Sequence, residues 1–267
     1  MPSVALTDPL KAEYQRLFDN CNVRPENAAV VETMLKRIQN GEQRYRDVSQ
    51  ETTVPWHVIA VLHQMECNGS FDKHLHNGDP LTARTVRVPA NRPAQGTPPF
   101  AWEDSAIDAL RFQRFDRWND WSLSGTLYRI ESYNGWGYRL YHPETLSPYL
   151  WAGSNNYTSG KYVQDGRWSS SAVSKQIGAA VLLRRMSESH LLKPATEIPH
   201  TPGAPVAKLP LLRYSPNKEL PYGRELQAFL NTLPDIYLKV DGKPGERTSD
   251  AFKKVSGNYL SGDPRLG

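Results

Sequence analysis

The chain has 267 residues, of which 39% are hydrophobic and 10% aromatic, enough for a packed core in one large domain or two smaller ones. No apolar run approaches the roughly 18 residues of a membrane helix, and no basic stretch followed by an apolar core opens the chain, so neither a membrane span nor a Sec-type leader is expected. A formal net charge of +4 and a pI of about 9.0 suit an anionic partner, but no zinc-finger spacing, RNP-like motif or basic amphipathic helix favours nucleic acid over bacterial cell wall.

Residues 8–50 read as helical, with Leu17, Val30, Met34 and Ile38 at roughly helical spacing and Gly41 as a C-cap. Thr53 and Pro55 open the next helix. It is read as amphipathic and half-buried, with Val58, Ile59, Leu62 and Met65 as its apolar stripe, and Asn68-Gly69 stops it. Residues 72–101 hold several glycines and prolines and read as a β-hairpin followed by a long loop. Helical period returns at 102–117, 121–133 and 169–186. Seven prolines from Pro194 to Pro221 mark a linker, taken as 191–221. A module at 222–267 follows, in which Leu226, Phe229, Leu230 and Leu233 share a helix face, Asp241-Gly242 turns the chain, and Thr248 or Ser249 caps a last helix. Cys21 and Cys67 lie far apart and are read as a pair or as two buried thiols.

Chemistry concentrates after residue 58. Glu66 lies on or beside the apolar stripe at a helix end, where partial desolvation raises a carboxyl pKa, as a glycosidase general acid requires. A second carboxylate would stabilise an oxocarbenium-like transition state or activate water. Asp72, Asp79 and Glu131 are candidates, and Asp79, in the turn Asn77-Gly78-Asp79-Pro80, is preferred. Tyr133 and Asn134 stand where a helix meets a Gly-rich loop, suited to orient Glu66 and to bind an N-acetyl group. Trp136, Tyr138, Tyr149 and Trp151 offer sugar-stacking faces or core. His76, Asn77 and Thr85 are expected to bind substrate, His76 as part of the sugar cleft or its frame and Thr85, with Thr82, placed to hold a water. His63, His74 and His76 raise a competing zinc-site reading, but no His-Glu-x-x-His is present, and no metal or cofactor is expected.

Two segments resemble known families. Leu226-Gln227, Leu230-Asn231 and the pattern Val-Asp-Gly-x-x-Gly-x-x-Thr-x-x-Ala at 240–251 are similar to the small helical peptidoglycan-binding domain. The stretches at 54–59, 63–66, 74–86, 133–139, 147–151 and 160–166 resemble a bacterial and phage lysozyme-superfamily domain, muramidase or lytic-transglycosylase-like. In that family the catalytic Glu ends a helix and a later helix supplies Tyr-Asn close to it, which Glu66 and Tyr133-Asn134 match. The resemblance implies a mainly α fold (α+β): a lysozyme-like helical domain with a small β-hairpin over 1–190, and a three-helix module. It implies a hydrolase of the β-1,4 bond between N-acetylmuramic acid and N-acetylglucosamine, with peptidoglycan glycan strands as partner, no nucleic acid, no membrane insertion and a monomeric chain. Such a protein would act on the cell wall after being made as a cytoplasmic or phage-type protein. The alternatives are a non-catalytic wall-binding protein on a lysozyme scaffold and a zinc-dependent wall peptidase.

Overall fold

The computed structural model describes residues 4–164, 166–189, 191–192 and 212–266. The chain divides into two compact units, Met1–Leu191 and Leu192–Gly267. In the first, the described residues form α1 (Asp8–Asp19), α2 (Ala28–Asn40), α3 (Glu42–Thr52), α4 (Trp56–Cys67), α5 (Trp102–Phe112), α6 (Leu123–Asn134), α7 (Gly137–Tyr141), α8 (Pro148–Trp151), a two-stranded antiparallel sheet of β1 (Lys161–Gln164) and β2 (Arg167–Ser169), and α9 (Ala179–Glu188). The architecture is mainly helical, with no helix among the described residues long and apolar enough to cross a membrane.

Helix α4 is the hub. It packs against α2, α3, α6 and α9, and every residue from Trp56 to Met65 is buried, His57, His63 and Gln64 included. The half-buried, one-striped helix expected here is therefore corrected. Ala60 and Val61 extend the apolar surface beyond the stripe, and His57, His63 and Gln64 are enclosed with it because neighbouring helices cover the remaining faces. Pro55 sits at its N-cap, and Asn68 ends it in the left-handed region with φ 52°. In α2 the buried residues are Val31, Met34, Leu35 and Ile38, whereas Val30 faces solvent, one position out of register with the predicted stripe.

The hairpin expected at 72–101 is not a sheet. A single bridge joins Lys73 to Pro80, and the rest is irregular. Five prolines remove ladder donors from this stretch, and side chains from within it take over the backbone groups, as set out below. The strands lie instead at 161–169, with Tyr162 opposite Trp168. The helix expected over 169–186 begins only at Ala179. Ser169 and Ser174 bond to backbone N–H groups two or three residues on, the local competition by which serine disfavours helix. Gly178 then opens α9 so close to α8 that an added Cβ would lie 2.2 Å from the Leu150 carbonyl oxygen. Cys21 and Cys67 are free and buried, and burial pushes their thiols up to about 11 and about 12.

In the second unit, α10 (Gly223–Leu230) and α11 (Glu246–Ser256) enclose a small core of Leu226, Leu230, Ile236, Leu238, Ala251 and Leu260. Two α-helices and a short 3-10 turn at Pro264–Leu266 are described here where a three-helix module was expected. The unit starts earlier than residue 222: Leu212 and Tyr214 pack on its core, and Arg213 bridges to Ser261. The remainder of the proposed linker, 193–211, lies outside the described residues. Phe229 is exposed rather than on the core face. Thr248 is not a cap: buried at 3% exposure, it accepts from the Gln227 amide, which also donates to Asp241, while the Gln227 carbonyl accepts from the Gly242 N–H.

Candidate active site

Glu66 occupies the last turn of the buried helix α4, so its carboxyl is largely withdrawn from water. Burial pushes it up to about 7, although the hydroxyl of Tyr149, 2.7 Å from Oε1, donates to it and pulls the other way. Tyr149 stands on α8, a single turn opened by Ser147-Pro148 and packed against α6 and α9. Tyr133, from the end of α6, is near enough for the Glu66 charge to raise its pKa further, but its hydroxyl donates to the Leu75 carbonyl at 2.9 Å and not to Glu66. The tyrosine that orients Glu66 is therefore Tyr149, eighty-three residues distant in sequence and read from sequence as a stacking face or core. Gln176 also reaches this end of α4, its amide donating to the Met65 carbonyl at 2.8 Å. Neither contact has a local sequence signal, because both partners come from distant segments.

The loop after α4 is held by its own polar side chains. Gly78 comes so near α4 that an added Cβ would lie 3.0 Å from the Glu66 carbonyl oxygen. Beside it, buried Asp79 accepts from the N–H groups of Val86 and Arg87 and from the Arg87 guanidinium. Burial raises its pKa, but these three donors outweigh that and hold the carboxylate below its usual range. A carboxylate engaged on both oxygens anchors a loop, so the structure assigns Asp79 this role in place of the second catalytic acid. Asn77 spans the same turn, donating to the Arg87 carbonyl and accepting from the Asp79 N–H. Thr85 is 1% exposed, its hydroxyl donating to the Pro89 carbonyl and accepting from the Arg92 N–H. His76 is buried too, with Nε2 2.8 Å from Asp108, whose carboxylate also takes the Arg92 guanidinium in a two-pronged pair. Burial outweighs the Asp108 charge and lowers the His76 pKa. His76, Asn77 and Thr85 thus brace the loop, with His76 and Thr85 buried and Asn77 half-buried.

The other histidines are equally committed. His74 joins Ser105 through Nδ1 and the Ala83 carbonyl through Nε2, both at 2.7 Å. His63 lies between the Tyr45 hydroxyl and the Ser70 carbonyl, and burial lowers its pKa to about 4. Among the described residues no three His, Cys, Asp or Glu side chains converge as a metal site. Glu131 is buried against Tyr14 and Arg139, accepting from both at 2.5 and 2.9 Å, and ties α6 to α1 and α7. Asp72 is exposed. Asn134, the last residue of α6, is exposed beside this region. Trp136 is half-buried, 4.8 Å from the Tyr128 ring, and Tyr138, Tyr149 and Trp151 are core. The residues brought together are therefore Glu66, Tyr149 and Tyr133, in buried surroundings that favour the neutral form of the Glu66 carboxyl. No protein-family model matches the chain, and no curated protein and no solved structure matches it.

Proposed function

We propose that the first unit is a peptidoglycan glycosidase that cleaves the β-1,4 bond between N-acetylmuramic acid and N-acetylglucosamine, with Glu66 as general acid. The observation that carries this reading is the state of Glu66: a carboxyl at the end of a buried helix, raised to about 7 by burial and held by one tyrosine hydroxyl. Such an acid keeps its proton near neutral pH and can pass it to the leaving oxygen as the glycosidic bond breaks.

The chemistry is proposed to use one carboxylate. Asp79 is spent on Arg87, Glu131 on Tyr14 and Arg139, and Asp72 is exposed, with none of the three contributing to the electrostatics of Glu66. The muramic acid's own 6-hydroxyl then serves as nucleophile. It attacks C1, its proton returns to the Glu66 carboxylate, and the product is a 1,6-anhydro sugar with no water consumed. The second unit, by its sequence pattern, serves as a wall tether that raises the local concentration of glycan.

Wild-type protein is expected to clear a suspension of purified cell walls and Glu66→Gln to be at least a hundredfold slower, since general acid catalysis contributes roughly 10²–10⁴-fold. Equal clearing by the two proteins would rule Glu66 out as the acid. Mass spectrometry of the digest reads the nucleophile, because a 1,6-anhydro end is 18 Da lighter than a reducing end, about the mass of one water.

A further inference from the structure

Gln176 is an exposed residue three positions ahead of α9, yet its amide is committed to the helix that carries Glu66. The need for it comes from the way α4 ends. A helix leaves its last carbonyls without ladder donors. Here the Asn68 N–H takes the Gln64 carbonyl at 3.1 Å. The Gly69 N–H, which a continuing helix would send to Met65, turns back to the His63 carbonyl at 3.2 Å. The Met65 carbonyl is met instead by Gln176 Nε2 at 2.8 Å, from 111 positions away.

That carbonyl shares one rigid peptide plane with the Glu66 nitrogen. A donor fixed on it sets the orientation of the plane from which the Glu66 side chain projects. The donor is itself fixed from behind. The Ser174 N–H donates to the hydroxyl of buried Tyr157 at 3.1 Å, and the Gln176 N–H to Ser174 Oγ at 3.4 Å. On the other side Ile177 is buried, and the Gly178 N–H donates to the Ala152 carbonyl at 2.7 Å. Gln176 thus stands between two tied points, and its side chain returns to the last turn of α4.

Resting on the glycosidase reading for its effect on rate, we infer that Gln176 is a positioning residue: it locks the Met65–Glu66 peptide and closes the last turn of α4 against water, so that the Glu66 carboxyl is presented in one direction. Without the donor, the Met65 carbonyl takes water as its partner, and hydration of the turn relieves the burial that raises the Glu66 pKa. The other titratable groups that sense the Glu66 charge are Tyr149 of α8, Tyr133 of α6 and the adjacent Cys67, and burial keeps all three protonated well above pH 7. Arg37 of α2, on the Asn68 carbonyl, and Lys73 of the following loop, beside Cys67, are the cations at this end of α4, and Arg184 of α9 is paired with Glu188. A titration near 7 here therefore belongs to Glu66.

The test is Gln176→Met in the full-length protein, which keeps the length of the side chain and removes the donor. Gln176→Ala, made alongside, carries the test if the methionine protein loses its native circular dichroism. On soluble glycan strands kcat is expected to fall roughly ten- to hundredfold, the scale of a misplaced catalytic group, with KM unchanged. Carbon-13 NMR of carboxyl-labelled glutamate follows Glu66 directly, its signal identified by its absence in Glu66→Gln. The signal is expected to titrate at about 7 in wild type and at lower pH, toward 4.5, in the variant. A fall in kcat with the Glu66 titration unmoved overturns the inference, because it shows a structural role alone. So does a raised KM with kcat unchanged, which makes Gln176 a substrate contact, and so does a variant equal to wild type in every measurement. If wild type cleaves no strand, the glycosidase reading fails, and the NMR titration by itself upholds or overturns the positioning of Glu66 by Gln176.

Discussion

Glu66 has a pKa shifted upward by burial, and the sign of its consequences follows from that direction. As general acid it must be protonated, so kcat/KM is expected to hold at lower pH and to fall as pH rises through about 7. Tyr149 donates to the carboxylate and so lowers the pKa that burial raises. Tyr149→Phe should therefore move the falling limb to higher pH, read from the pH profile of wall cleavage. A structural loss alone would lower the rate without moving the limb. Stability depends on the same group. The unfolded chain releases this proton near 4.5 while the folded chain keeps it to about 7, so the folded state binds more protons between those values. Rising pH through that window costs the native state about 3 kcal/mol. Glu66→Gln, which has no charge to bury, is expected to be more stable than wild type in urea at pH 8 and nearly equal to it at pH 4.

The elements place this residue by close approaches that glycine permits. Gly178 lets the start of α9 meet α8, and a methyl group there would lie 2.2 Å from the Leu150 carbonyl oxygen and 2.6 Å from the Trp151 nitrogen. Both neighbours are backbone and cannot swing aside. Gly178→Ala is thus expected to cost about 1–3 kcal/mol in chemical denaturation. It should also lower activity out of proportion, because the turn that shifts carries Tyr149. Helix content was readable from sequence wherever apolar period was strong, as in α2 and α5, and failed where side chains answered the backbone. Ser169 and Ser174 delayed α9, and Asp79, Asn77 and Thr85 replaced a strand ladder with a braced loop.

At the scale of the molecule the chain is two compact units, each with its own core. The second is small, so a buried polar hub weighs heavily in it. Gln227, 1% exposed, joins Asp241, Gly242 and Thr248 across its turn. Gln227→Ala strands the Gly242 N–H and is expected to destabilise the unit by about 1–3 kcal/mol. Faster amide hydrogen exchange across 223–256 would record this, and unchanged protection there would show that the network adds nothing to stability.

Sequence alone determined that the chain is mainly helical and that a helix ends at Asn68-Gly69, and it singled out Glu66 at that helix end. The first two are local properties, set by apolar period and by turn chemistry. Tertiary structure decided what surrounds that acid. It put Tyr149 on Glu66, turned Asp79 toward Arg87, and buried His76 and Thr85 within the loop. The first depends on a segment eighty-three residues away and the others on side-chain bonds made by an irregular loop, and neither leaves a periodicity to read.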